Sequence, residues 1–162
     1  MHINCRLAAR LEAPLILQLW QSAASWLLEK GIVQWLPDFF QLEQVLGFME
    51  EGSDVYIAES EGLVVGTYVL TWSDPQIWGE LDHDDAGYIH RFTVHRDFYG
   101  QGVGPLLLKM AEDHIKQKGK TVIRLDCMAE NPKLNAFYRS NGFHFVRRLD
   151  IAGWSANLYE KK

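Results

Sequence analysis

The sequence has only two cysteines, Cys5 and Cys127, placed far apart in its 162 residues. A disulfide framework is not signalled, and a reducing cytoplasmic setting is the default expectation. No run approaches the roughly 18 apolar residues of a membrane span. The start, MHINCRLAARLEAP, lacks the charged-then-apolar order of a secretory signal. Positive charge is also scarce, with 16 Lys and Arg against 21 Asp and Glu, a formal net charge of −5 and a pI of about 5.6. Nucleic acid is thereby an unfavoured partner, because phosphate backbones are held by clustered Lys and Arg. His83, His95, His114 and His144 show no metal-ligand spacing with either cysteine or one another, so no metal is expected. The string G-x-x-x-x-G-K-[ST] is absent, which excludes a Walker phosphate loop.

What is present is an ordinary globular composition, 48% hydrophobic and 23% charged. The length predicts a single domain over 1–162. Ile3, Cys5 and Leu7 alternate with polar residues as a first strand. Helical spacing runs from Leu11 to Lys30, and a second helix is expected from an Asp38 cap to Glu51. Asp54–Glu59 and Leu63–Trp72 read as a hairpin turning at Ser60–Gly62, and Ser73–Gly87 as an exposed loop. Tyr88–Val94 is the next strand, followed by a helix from Gly104 to Lys118, with Pro105 at its first position. Val122–Cys127 is then a strand, Pro132–Ser140 a short helix, and Phe143–Leu149 and Ser155–Glu160 late strands. This order mixes hairpins with one crossover helix and fits an α/β fold with a mixed sheet.

Between the Tyr88 strand and the Gly104 helix stand three alternate glycines, Gly100, Gly102 and Gly104. Glycine permits positive φ and close approach of a ligand to the backbone. Amides of such a turn converge as an anion nest, and the following helix adds its positive end, so a diphosphate is the natural guest. A dinucleotide fingerprint is set aside. Pro105 or Leu107 falls where its last Gly or Ala belongs, and too few residues follow for that fold.

These residues resemble the GNAT superfamily of acyl-CoA-dependent N-acetyltransferases, whose signature Gln/Arg-x-x-Gly-x-Gly/Ala opens a helix after a strand. Tyr99-Gly100-Gln101-Gly102-Val103-Gly104 fills that place, with Tyr99 departing from the usual Gln or Arg. A second string, Asn131 to Phe143, resembles the later motif in which Asn leads a short helix and Phe-Tyr precedes Gly-Phe. The resemblance implies a mixed, mostly antiparallel central sheet of about seven strands with helices on both faces, splayed between the fourth and fifth strands. It implies acetyl-CoA as donor, with Phe92, Thr93 and Val94 pairing with pantetheine, Tyr99 to Gly104 around the pyrophosphate and Asn131 near the cofactor. Tyr138 is then the general acid, since a phenol is protonated at neutral pH and can give its proton to the leaving sulfur. His90 stands where many members carry a Glu base, and histidine as a residue type titrates near neutrality.

The expected reaction is direct acetyl transfer in a ternary complex to a primary amine, with a small molecule as acceptor. A peptide N-terminus or lysine, a non-catalytic acyl-CoA-binding module, and a homodimer stay open. Trp20, Trp26, Trp35, Phe39 and Phe40 offer an aromatic acceptor pocket or a core. The acidic run Glu80 to Asp85 is either a solvated loop or a lure for a cationic amine. Cys127, in an otherwise apolar strand, is read as filler rather than nucleophile.

Overall fold

The computed structural model describes residues 1–33 and 36–162. Trp35, one of the five expected pocket aromatics, therefore lies outside the described residues. Seven strands form one sheet: β1 (Asn4–Leu7), β2 (Asp54–Ser60), β3 (Leu63–Thr71), β4 (Ala86–Val94), β5 (Val122–Met128), β6 (His144–Ile151) and β7 (Trp154–Lys161). Their order is β1-β2-β3-β4-β5-β7-β6. The pairs β1–β2, β2–β3, β5–β7 and β6–β7 are antiparallel, and β4–β5 is parallel. A parallel pair needs a crossover, here supplied by α4 (Val103–Gln117). The β2–β3 hairpin turns on Glu61 and Gly62, with φ of 53° and 79°, the two positive values that a type I′ turn requires.

The chain divides into two compact units, one of Met1–Leu70 with Arg91–Ala111, the other of Thr71–His90 with Glu112–Lys162. The first has its own core, in which α1 (Ala13–Glu29) and α2 (Leu42–Glu50) set Ile16, Trp20 and Val45 against Val55, Ile57 and Val69. Trp20 and Phe40, proposed as pocket or core, are fully buried there. Phe39 is exposed instead. The second core gathers Trp78, Tyr88, Val122 and Leu158. No described helix is long and apolar enough to cross a membrane.

Three local expectations are corrected. Asp38 does not cap α2. It lies in a 3₁₀ turn, Pro37–Phe39, and α2 starts after Gln41, whose backbone N–H is held at 3.1 Å by the Gln44 side chain. Pro105 is the third residue of α4 rather than the first, because the helix already begins at Val103. The first turn has no intrahelical acceptor waiting for that N–H, so the shift costs the helix nothing. Finally, 73–87 is not an open loop. It folds into α3 (Pro75–Trp78) and a 3₁₀ turn, Gly79–Leu81, and β4 begins at Ala86. Trp78 is fully buried, and the Arg124 guanidinium lies 4.2 Å from its ring centre while donating to Leu81 O at 2.6 Å and Tyr88 Oη at 3.1 Å.

Candidate active site

The strand that enters the glycine turn is bent on the way. Arg91 has φ of 51°, a left-handed value that costs a non-glycine residue about 1–3 kcal/mol. Its guanidinium is held among the rings of Trp20, Phe40 and Phe48 at 5.3–5.9 Å, contacts that offset part of the strain. The β4–β5 register runs from Ala86↔Val122 to Ile89↔Leu125 and stops before this kink. The sheet is thus open between its fourth and fifth strands, as the resemblance implied. Gly66 on β3 admits the bent segment, since a Cβ there would stand 2.6 Å from Thr93 O and 2.7 Å from Leu107 Cδ2.

Past Val94 the chain makes a 3₁₀ turn, Arg96–Phe98, and enters the glycines. Gly100 and Gly102 both have φ of 77°, and Gln101 between them keeps an ordinary negative φ. This alternation is the backbone form of an anion nest. Among the described residues, nothing beyond the adjoining chain lies within 4 Å of a Cβ built on either glycine, so the space over the turn is open. Val103 and Gly104 begin α4 and have no intrahelical acceptors for their N–H groups. Tyr99, the departure from the usual Gln or Arg, packs edge-on against Trp26 with centroids 4.7 Å apart. It braces the turn against α1. A recess between α1 and the end of β4 is lined by Gln18, Ser22, Val94, His95 and Arg96.

In the other unit, Asn131 caps α5 (Pro132–Ser140), its Oδ1 accepting from Leu134 N at 3.2 Å. Its carbonyl accepts from the Asn135 amide at 2.8 Å. Asn135 Oδ1 in turn accepts from Tyr159 Oη at 2.7 Å and Asn157 Nδ2 at 2.8 Å. This buried network fixes the helix that presents Tyr138. The Tyr138 ring packs against Phe137, Phe143 and Tyr159 with centroids 5.2–6.2 Å apart. Burial raises its phenol well above the usual tyrosine range, and the neighbouring Cys127 and Asp126 add to that. A phenol so placed stays protonated throughout the physiological range, as a proton donor must.

His90 is partly buried, with Nε2 3.4 Å from Asp74 Oδ2. One ligand atom from each of Asp74, His90 and Asp126 lies within 4.8 Å of the others. Neither aspartate was singled out in the sequence as part of a site with His90. Asp74 was hidden in an apparent loop, 16 residues before His90 in number but brought back by α3. The grouping is also the one among the described residues that could hold a metal ion, which the spacing of the other histidines did not foreshadow.

The acidic run is engaged with the fold. Glu80 pairs with Arg147 at 2.7 Å, Asp82 accepts from Ser73 Oγ and Asp74 N at 2.8 Å each, and Asp85 accepts from Thr121 Oγ1 at 2.6 Å. The run holds chain segments together.

A family model described as the acetyltransferase (GNAT) family matches residues 18–143. The chain is 35% identical over 145 residues to the uncharacterized N-acetyltransferase YesJ of Bacillus subtilis (strain 168), which spans 86% of this chain and 78% of that protein. A crystal structure of a GNAT-family acetyltransferase from Listeria monocytogenes 4b F2365 matches with a TM-score of 0.81 at 30% identity, over 98% of this chain and 94% of that one. RimL, a ribosomal L7/L12 alpha-N-protein acetyltransferase solved in complex with coenzyme A, shares the fold at a TM-score of 0.72 and 20% identity, over 98% and 93%.

Proposed function

The chain belongs to the acetyltransferase (GNAT) family, and from that membership we propose that it transfers an acetyl group from acetyl-CoA directly to a primary amine of a small molecule in a ternary complex. The observation that carries this reading is a histidine set beside Asp74 and Asp126 in the same unit as a shielded tyrosine, one residue type suited to receive a proton and the other to give one. Acetyl-CoA supplies an activated thioester. The residues that fit it are the nest at Gly100–Gly104, open above both positive-φ glycines, and the β4 segment Phe92–Val94 beyond the end of the β5 ladder.

His90 takes the proton that the amine must lose to become a nucleophile. The amide groups near Val94 stabilise the oxyanion that develops at the carbonyl. Tyr138 gives its proton to the sulfur as the carbon–sulfur bond breaks. Asn131 contributes through its cap on α5 and the amide N–H groups that the cap leaves over. Tyr99 serves as a brace, and the phosphate contacts fall to the main chain from Gly100 to Gly104. Two free cysteines fit a cytoplasmic setting.

Free-thiol release from acetyl-CoA, measured across spermidine, free amino acids and a peptide with a free N-terminus, tests the proposal. Turnover fastest on a small amine is expected, with Tyr138→Phe slowed about 10²- to 10⁴-fold. Tight coenzyme A binding without turnover on any acceptor would make the chain a binding module, and a preference for the peptide would move the acceptor class. Unchanged turnover in Tyr138→Phe would remove the acid assignment.

A further inference from the structure

Asp74 Oδ2 is shut off from solvent and takes no hydrogen bond among the described residues, yet it lies 3.4 Å from His90 Nε2. A buried carboxylate oxygen without a donor is costly, so the ring nitrogen that faces it has a strongly preferred state. If Nε2 carried its lone pair, two acceptors would face each other across 3.4 Å. If Nε2 carries the proton, a small rotation of either side chain closes the contact to an ordinary hydrogen bond. The neutral imidazole then has its basic lone pair on Nδ1.

The contact is built into the fold. The Asp74 backbone N–H is bound to Asp82 Oδ1 at 2.8 Å, and Ser73 Oγ to Asp82 Oδ2 at 2.8 Å. The same segment is pinned by Trp78 in the core and by Arg124 donating to Leu81 O. Asp126 of β5 completes the cluster, with a carboxylate oxygen within 4.8 Å of the ligand atoms of both His90 and Asp74.

We propose that Asp74 is the positioning residue of His90, holding the proton on Nε2 and leaving Nδ1 as the atom that receives the proton of the acceptor amine. This rests on the reading of His90 as the base. The proton moves from the ammonium nitrogen to Nδ1, which gives an imidazolium whose Nε2–H faces a carboxylate.

The test is a long-range ¹H–¹⁵N spectrum of the imidazoles in the full-length protein, the His90 signals being identified by their loss in His90→Gln. Wild type is expected to show Nε2 protonated and Nδ1 bare. Asp74→Asn is expected to give a mixture of tautomers, because the amide can present its own N–H to Nε2. Asp74→Glu should restore the wild-type pattern in part. With acetyl-CoA and the amine giving the fastest thiol release, kcat of Asp74→Asn should fall about 10- to 100-fold, a share of what a general base supplies. KM for acetyl-CoA should stay within about twofold.

An unchanged tautomer in a folded Asp74→Asn protein overturns the positioning role whatever the activity. Loss of turnover in His90→Gln with none in Asp74→Asn also overturns it, and leaves the base reading standing. A tautomer that shifts in Asp74→Asn while His90→Gln keeps wild-type turnover overturns the base reading, and with it the catalytic part of this proposal.

Discussion

Cys127 shows how surroundings set a residue's chemistry. Its Sγ lies 3.5 Å from Asn135 Oδ1 within the buried face of β5, and burial, with Asp126 adding, pushes the thiol up to about 12. At pH 8 a thiol with such a pKa is ionised to only about 10⁻⁴, against roughly a quarter for an unperturbed cysteine. The native protein should therefore leave Cys127 unalkylated by iodoacetamide at pH 8, with the rate rising about tenfold per pH unit above that. Peptide mapping by mass spectrometry reads the outcome, and labelling at the rate of a small free thiol would show that the side chain is accessible and activated. The sequence reading of Cys127 as filler rested on its apolar neighbours. The structure adds the reason, a desolvated sulfur beside a carboxylate.

At the scale of elements, the segment 73–87 was the least legible part of the chain. Pro75, two glycines and five acidic residues gave it the composition of a solvated loop. Tertiary contacts outweighed that composition. Trp78 supplies a large buried surface, Arg124 stacks on it, the carboxylates of Glu80 and Asp85 find donors in neighbouring segments, and Asp82 ties the segment to itself through Ser73 and Asp74. The consequence is functional, because this segment carries Asp74 to His90. Trp78→Ala should cost about 3–5 kcal/mol of stability by chemical denaturation, the usual range for a buried Trp. It should also release the His90 tautomer, as Asp74→Asn does. A loss near zero would mean that the segment is held by its ion pairs alone.

By contrast, the glycine turn was legible almost residue by residue. Positive φ at Gly100 and Gly102 is a local backbone demand that glycine alone meets cheaply, so the sequence displays it. The hairpin at Glu61-Gly62 was legible for the same reason. The cap of α2 was not, because Asp38 and Gln41 are both acceptable before a helix, and the choice between them is made by where the 3₁₀ turn ends.

For the molecule as a whole, the donor assignment makes a thermodynamic demand. A ligand that binds only the folded state stabilises it by about 2.7 kcal/mol at 100 times its Kd. For a chain of this size that amounts to about 5–10 °C in Tm. Calorimetry with coenzyme A should show such a rise, and the shift should weaken when Gly102 is replaced by a residue that resists positive φ. Absence of any shift at millimolar coenzyme A would count against the nest as its site.

The sequence by itself determined the order of the strands and of the helices other than α3, the mixed sheet, the glycine nest and the two strings that mark the family. These depend on local demands of φ, hydrophobic period and capping, which act within a few residues of chain. It also named His90 and Tyr138 individually. Only the tertiary structure decided that Asp74 and Asp126 stand beside His90, that the acidic run is tied down, and that Tyr99 is a brace. Those facts follow from which segments come to lie together when the cores around Trp20 and Trp78 close. Burial and pairing are properties of the folded surroundings, and no single stretch of sequence carries them.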